Sequence, residues 1–340
     1  MNPLEKLRES DCAGFYHWPP LWIGTRPVER GADLNSAIMN AEAFSSDLAC
    51  GVRLKVSKQA LFIFDFSNWE PASGALARDL LHKWEKRVFA RMKFMNFFLV
   101  CFYTSMFRAK KLTSEKLYID YATYLAARSF GLNPHNTQGH SRQSSVIRDA
   151  EDFHGKFGHI CETIPASILQ TAIDMTNAAV AERFDDAITL ADLLLHAFFL
   201  HQSGKYEASH ISSWTIAEKC LNELWMTYLR ELDEQHSGHE FEGKFINKDR
   251  KGKLTGRDFT ASIISEVLSL SGIVPFDKYE LMSCVRKKRN DWLHHLGAIG
   301  RPDADDAIIL AQFMLRKVGL FDVDVPFQVI GGVPLALLPK

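Results

Sequence analysis

The amino-acid sequence predicts a mainly helical protein in which a mixed α/β domain precedes a helical bundle. Beyond residue 164 the apolar residues recur at the spacing of amphipathic helices. Before that point, residues 52–56 alternate in polarity and residues 60–66 are rich in Phe and Ile, a pattern typical of two strands in a small sheet. The predicted helices of the second half are 165–181, 185–202, 206–232, 258–269, 278–295 and 304–318.

This change of pattern divides the chain into an N-terminal domain, residues 1–163, and a helical domain, residues 164–320. The first domain also contains residues 75–108, which lack Pro and Gly and predict one long helix or a bent pair. A polar, glycine-rich insertion at 233–256 interrupts the second domain, and we expect it to be an exposed excursion. An apolar tail, residues 321–340, is expected to pack on the body or on a second subunit.

Composition limits the classes of partner. The chain has 40 Lys and Arg against 41 Asp and Glu, so any contact with RNA must be local rather than driven by the net charge of -1. Residues 1–8 carry charges of both signs, unlike a secretory signal, and the apolar run 92–107 is shorter than the roughly 20 residues that span a membrane. The 6 cysteines form no C-x-x-C pair. We therefore expect a cytoplasmic protein that binds no membrane, metal or cofactor.

Two charged residues interrupt the apolar sides of two predicted helices. Arg289 lies in the middle of the apolar side of helix 278–295, and Glu218 lies within that of helix 206–232. Because removing an ion from water costs several kcal/mol without a partner, we expect Glu218 and Arg289 to meet. A structural ion pair would satisfy the same pattern. The apolar residues around them are Leu281, Met282, Val285, Trp292, Leu293 and Leu296, and Trp214, Ala217, Leu221, Trp225 and Tyr228.

The residues after Arg289 indicate chemistry. Asn290 and His294 are four apart and share a helical side, and Gly297 is expected to cap the helix. A histidine in the last turn feels the negative end of the helix dipole and can act as an acid or a base near neutral pH. Arg289 and His294 point about 140° apart on an ideal helix. A bent helix, the long arginine side chain or a second subunit has to bring them together.

The segment Arg289-Asn290-Asp291-Trp292-Leu293-His294 resembles the R-x4-H motif, with Asn at the favoured next position, of the HEPN family of nucleotide- and RNA-handling helical domains. The stretch Ser213-Trp214-Thr215-Ile216-Ala217-Glu218 resembles the acidic helix of that family. As in the family, the motif lies near the end of a late helix and one more helix follows. The resemblance covers residues 185–320 and leaves the N-terminal half unassigned.

The resemblance implies a four- or five-helix domain that dimerises and joins two R-x4-H segments in one metal-independent endoribonuclease site. His294 would handle the proton of the attacking 2′-hydroxyl or of the leaving oxygen. Arg289 would bind the phosphate, Asn290 would orient the site, and Glu218 would hold Arg289. Such chemistry leaves a 2′,3′-cyclic phosphate end on the RNA.

Further expectations concern the partners of this site. Lys287, Lys288 and His295 are expected to contact the RNA, which would be tRNA, mRNA or rRNA. The family suggests a toxin-like effector or a defence against phage, with the N-terminal domain responding to a small molecule or a protein. Some family toxins carry a tyrosine two residues after the histidine, where a partner enzyme adds nucleotides. This chain has Leu296 there, so that mode of control is not expected.

Other interpretations of the sequence remain open at this point. The helical half would also suit a non-catalytic module that binds RNA or a nucleotide, or a structural dimerisation platform in which Arg289 is a buried tie. His236 and His239, with Glu240 and Glu242, are more typical of a solvated loop than of a metal site. The aromatic run of Phe94, Phe97, Phe98, Phe102 and Tyr103 favours core packing over base stacking.

Overall fold

A computed structural model describes residues 11–17, 21–25, 40–69, 80–111, 116–126, 162–236, 245–326, 329–330 and 333–334 of the chain. The chain divides into two compact units, Met1–Leu195 with Val323–Lys340, and His196–Asp322. The protein is mainly helical, with a small sheet region in its N-terminal part. Within the described residues, no helix is both long enough and apolar enough to cross a membrane.

A five-stranded antiparallel sheet, in the order β3-β4-β5-β1-β6, lies in the first unit. The predicted pair of strands is present as β4 and β5, which pair from Arg53 opposite Asp65 to Val56 opposite Phe62. Ala60, with φ 56°, completes the turn between them. The strands of this sheet are β1 (Cys12–Tyr16), β3 (Glu42–Asp47), β4 (Arg53–Ser57), β5 (Leu61–Asp65) and β6 (Leu125–Ala126).

Two smaller strand pairs also belong to this unit. The strands β2 (Leu21–Ile23) and β7 (Glu162–Ile164) pair in parallel. The strands β8 (Val329–Ile330) and β9 (Val333–Pro334) pair antiparallel.

The long helix α1 (Leu80–Arg108) contributes an aromatic core to the first unit. The ring centroids of Phe98 and Phe64 are 5.4 Å apart, and those of Phe102 and Phe62 are also 5.4 Å apart, both pairs near edge-to-face. The five aromatic residues of the run from Phe94 to Tyr103 are therefore core residues, as the sequence favours, and cannot stack on bases from solvent. The residues of this run, all at most 1% exposed, are Phe94, Phe97, Phe98, Phe102 and Tyr103.

Buried polar side chains of α1 hold neighbouring segments in place. The fully buried Asn96 amide donates to the Ile119 carbonyl at 3.1 Å and accepts the Ile119 N–H at 2.7 Å. Asn96 also donates to Asp192 Oδ1 at 2.7 Å. The Tyr103 hydroxyl accepts the Leu117 N–H at 2.8 Å. These bonds satisfy backbone groups that burial would otherwise leave unpaired.

The helix α2 (Ala166–Gln202) explains why the units divide elsewhere than predicted. Two segments predicted as separate helices, 165–181 and 185–202, form this one continuous helix. Besides the bond from Asn96 to Asp192, Asn177 Oδ1 accepts the Ala49 N–H at 2.8 Å. Most of α2 therefore belongs with the sheet, and the division falls between Leu195 and His196 instead of after residue 163. Within the predicted tail, the Asp324 N–H donates to Thr104 Oγ1 at 3.1 Å.

The second unit is a bundle of helices that includes the final residues of α2. Helix α3 packs most extensively on α7 and also contacts α5 and α6. The predicted insertion at 233–256 contains the short helix α4. The helices that follow α2 are α3 (Tyr206–His236), α4 (Lys248–Leu254), α5 (Ala261–Leu270), α6 (Phe276–His295) and α7 (Arg301–Lys317).

We predict that Asn96→Ala lowers the free energy of unfolding by about 3 kcal/mol, because it leaves the buried N–H and carbonyl of Ile119 unpaired. Asn177→Ala is the matched control, since Asn177 makes a solvent-exposed bond to a single N–H, and we expect a loss below about 1 kcal/mol. Urea unfolding followed by circular dichroism measures both values. Equal losses in the two variants would contradict the role assigned to Asn96.

Candidate functional site

The segment from Arg289 to His294 forms about the last two turns of α6. The buried residues of this helix are Met282 and Val285, and no residue after Val285 is buried. Leu293 is 45% exposed and Leu296 is 82% exposed. The apolar side predicted for this helix is thus covered in its first part and open to solvent at the end that carries the motif.

The end of α6 differs from the expectation that Gly297 caps it. Leu296 adopts the left-handed conformation, with φ 54° and ψ 33°, and its N–H donates to the Trp292 carbonyl at 3.0 Å. Gly297 has a different role, since a Cβ atom there would lie 1.9 Å from the Asp291 carboxylate. A leucine in the left-handed region costs on the order of 1 kcal/mol, which is strain beside the candidate site.

Arg289 and Asn290 are in direct contact. The half-buried Arg289 donates from Nη1 to Asn290 Oδ1 at 3.0 Å. The Nε atom of Arg289 is buried and has no hydrogen-bond acceptor among the described residues. An unpaired buried donor costs about 1–3 kcal/mol, so this guanidinium gains from an acceptor supplied by a ligand or a second molecule. Phosphate oxygens match its donor geometry.

The expected contact between Glu218 and Arg289 is not formed. Among the ion pairs of the residues that the structure describes, none joins these two side chains within 4.0 Å. Glu218 is half-buried on α3, where partial hydration reduces its need for a cation. Its predicted role of holding Arg289 is therefore wrong for a single chain.

The direction of the helices explains this correction. His210, near the start of α3, contacts Val285 of α6, while Tyr228, near the end of α3, accepts a bond from Ser271 just before α6. The two helices therefore run antiparallel. Glu218 and Arg289 lie on opposite sides of the contact at His210, about 18 Å apart along the helix axes at 1.5 Å per residue.

The remaining predicted residues lie around the same helix end but do not converge. His294 is exposed and points about 140° away from Arg289 on a regular helix, and no hydrogen bond joins the two in the part of the chain described. The rings of His294 and His295 have centroids 6.3 Å apart. Lys287 is exposed, whereas Lys288 Nζ lies 3.4 Å from Asp303 Oδ1 of α7.

His210 is a residue that the sequence interpretation missed. Its ring is fully buried, with Nε2 3.0 Å from the Val285 carbonyl and Nδ1 2.9 Å from the Asp303 carbonyl. In a helix the Val285 carbonyl also accepts the N–H of Arg289. His210 thus fixes the turn that presents Arg289. The available signal was a histidine on the apolar side of α3, four residues before Trp214.

The charges around His210 are acidic. Burial raises the pKa of the Asp306 carboxyl, the Asp303 and Asp305 carboxylates raise it further, and the charge of His210 opposes them. Asp305 also lies 2.5 Å from His201 Nε2. The acidic residues near the start of α7 therefore interact with one another and with two histidines, His201 and His210.

Comparison of the chain with protein-family models, with curated proteins and with solved structures found no match. Within the described residues, no group of three or more His, Cys, Asp or Glu side chains is placed to hold a metal ion. His239, Glu240 and Glu242 lie outside the described residues.

We predict that His210→Ala lowers the free energy of unfolding by about 3 kcal/mol, because it leaves a cavity and two carbonyls without their donor. His295→Ala removes an exposed histidine and should change stability by less than about 0.5 kcal/mol. Denaturant unfolding of both variants tests this. A His210→Ala protein as stable as the control would show that the two carbonyl contacts do not hold α6.

Proposed function

We propose that this protein is a homodimeric, metal-independent endoribonuclease of HEPN type, with its site at the exposed end of α6. The proposal rests on an unpaired buried donor and an exposed histidine that occur together at this helix end. Arg289 has a buried Nε without an acceptor, and exposed His294 lies beside exposed Leu293 and Leu296. A bound anion would supply the acceptor that Arg289 lacks, and a second apolar surface would cover the two leucines.

The chemistry follows from the residues available. One His294 accepts the proton of the 2′-hydroxyl, whose oxygen attacks the adjacent phosphorus. A second, protonated His294 gives a proton to the 5′-oxygen as its bond to phosphorus breaks. Arg289 stabilises the negative charge on the non-bridging oxygens, and Asn290 orients the guanidinium through its 3.0 Å bond. The products are a 2′,3′-cyclic phosphate and a 5′-hydroxyl.

Two copies of the chain can direct the catalytic groups at one phosphate better than one copy can. Arg289 and His294 diverge by about 140° on one helix, so a single chain does not direct both at one phosphate. A two-fold contact between two α6 ends places Arg289 of one copy beside His294 of the other. Burial of Leu293 and Leu296 in that contact stabilises it, at about 1.5–3 kcal/mol for each leucine fully covered.

Lys287 and His295 are exposed beside this site and are proposed to contact the RNA backbone. Lys288 would do so less strongly because it also contacts Asp303. We propose cytoplasmic tRNA, mRNA or rRNA as the substrate class and an effector role in stress or phage defence. The first unit would carry the sensor for a small molecule or a protein.

A second candidate function is a non-catalytic module that binds RNA or a nucleotide. The divergence of Arg289 and His294 within one chain favours it for any form of the protein that stays monomeric. The purely structural alternative has less support, because it needs Arg289 as a buried tie. Arg289 is only half-buried and has no ion-pair partner among the described residues.

Loss of the proton-transferring group is the test of the catalytic assignment. We predict that His294→Ala lowers the rate of RNA cleavage at saturating RNA by about 10²–10⁴-fold. The neighbouring His295→Ala should weaken RNA binding and leave that rate within a few-fold of the original. Rates measured with end-labelled tRNA decide between them. An unchanged rate in His294→Ala would remove this histidine from the mechanism.

Self-association tests the proposed second copy. We predict that Leu296→Ala weakens dimerisation by at least about tenfold, and that raising the protein concentration restores cleavage. Leu270→Ala is the matched control, since Leu270 is 81% exposed and Leu296 is 82% exposed. Sedimentation equilibrium gives both association constants. Equal dimerisation of the two variants would place the contact elsewhere than at the end of α6.

A further inference from the structure

The helix α4 and the turn after it form a basic surface, defined here as Lys248, Arg250, Lys251, Lys253 and Arg257. All five side chains belong to exposed residues. Two acidic residues, Asp249 and Asp258, lie among them, so the segment has an excess of positive charge in a chain whose net charge is -1. None of the five basic residues forms an ion pair with another described residue.

This surface is held in a defined position although no residue of α4 is buried. Asn247 Oδ1 accepts the Arg250 N–H at 3.0 Å at the start of the helix. The Trp225 indole of α3 donates to the Leu254 carbonyl at 2.8 Å at its end. The Arg250 guanidinium lies 4.9 Å over the Phe245 ring and donates to the Phe245 carbonyl at 3.0 Å. Hydrogen bonds at both ends therefore present the basic residues to solvent.

Some features of the α4 sequence oppose its stability, although Asn247 caps it and Asp249 lies in its first turn. Lys248 and Lys251, and likewise Arg250 and Lys253, are three residues apart, a spacing at which like charges repel. Lys248 also lies in the first turn, where the helix dipole disfavours a cation. Gly252 in the helix interior costs about 1 kcal/mol relative to alanine. A polyanion bound along this surface would offset the repulsion.

We infer that the basic surface of α4 and Arg257 binds the sugar–phosphate backbone of RNA independently of base sequence. The choice of RNA rests on the proposed function. An anionic membrane fits the surface less well, because membrane-surface helices insert an apolar side and the only large apolar residue of α4, Leu254, is half-buried. Lysine ammonium groups act on phosphates as point charges, so this surface contributes affinity rather than base recognition.

The salt dependence of RNA binding tests this inference. The ligand is a fluorescent 2′-O-methyl RNA, which binds but cannot be cleaved because its attacking hydroxyl is blocked. The triple variant Lys248→Gln, Lys251→Gln, Lys253→Gln should bind at least about tenfold more weakly at low salt. The slope of log affinity against log salt should fall by about 2, since each phosphate contact to a single strand contributes about 0.7.

Two control proteins separate this effect from general charge and folding. The first control removes the same charge from exposed positions elsewhere, through the triple variant Lys110→Gln, Lys205→Gln, Lys317→Gln. It should keep the original slope. The second control keeps the charge of the basic surface, through the triple variant Lys248→Arg, Lys251→Arg, Lys253→Arg. It should keep the affinity for the RNA. Equal slopes in the two glutamine variants would overturn the inference. Wild-type protein that binds phosphatidylserine vesicles or polyglutamate but not the RNA would also overturn it.

Failure of this inference differs from failure of the proposed function. If the 2′-O-methyl RNA binds through α4 but no RNA is ever cleaved, the basic surface stands and the nuclease proposal fails. If RNA is cleaved while the glutamine variants bind with equal slopes, the nuclease stands and α4 is not its docking surface.

Discussion

The buried ring of His210 is the contact on which the arrangement of the second unit depends. It bonds the carbonyl of Val285 on α6 and that of Asp303 on α7, so one side chain of α3 fixes two other helices. Within α6, the buried residues end at Val285, and every later residue is at least partly exposed. The same contact that anchors α6 therefore also sets where its uncovered end begins.

That uncovered end combines several local costs. Arg289 keeps a buried Nε donor without an acceptor, Leu296 adopts a left-handed backbone, and Leu293 exposes apolar surface to water. Each lowers the stability of the isolated chain, and such departures from local rules concentrate at functional sites. A phosphate on the guanidinium and a second copy over the leucines would relieve two of these costs. In the same way, RNA bound along α4 would offset the repulsion among the basic side chains of that helix.

The fold could be predicted from the sequence where the signal was local. Helices α3, α5, α6 and α7 follow from apolar spacing, and β4 and β5 follow from alternation and a run of Phe and Ile. The strand β1 pairs with β5 across a long stretch of chain, and nothing in its own five residues indicates that partner. The division between units depends on bonds such as that from Asn96 to Asp192, which join positions far apart in sequence.

The candidate site shows the same limit. A helical projection places Glu218 and Arg289 on apolar sides but gives no position along the bundle, so it could not show that antiparallel packing separates them. It also could not choose between Leu296 and Gly297 for the left-handed position, because the close approach of Asp291 to Gly297 depends on the path of the chain after α6. The importance of His210 depends on two carbonyls from other helices.

The most direct test of the central claim is the chemistry of the RNA ends after incubation of purified dimer with tRNA in excess EDTA. A metal-independent site built from His294 and Arg289 predicts cleavage that EDTA does not slow, with 2′,3′-cyclic phosphate and 5′-hydroxyl ends. Cleavage that stops in EDTA, or products with 3′-hydroxyl and 5′-phosphate ends, would contradict it.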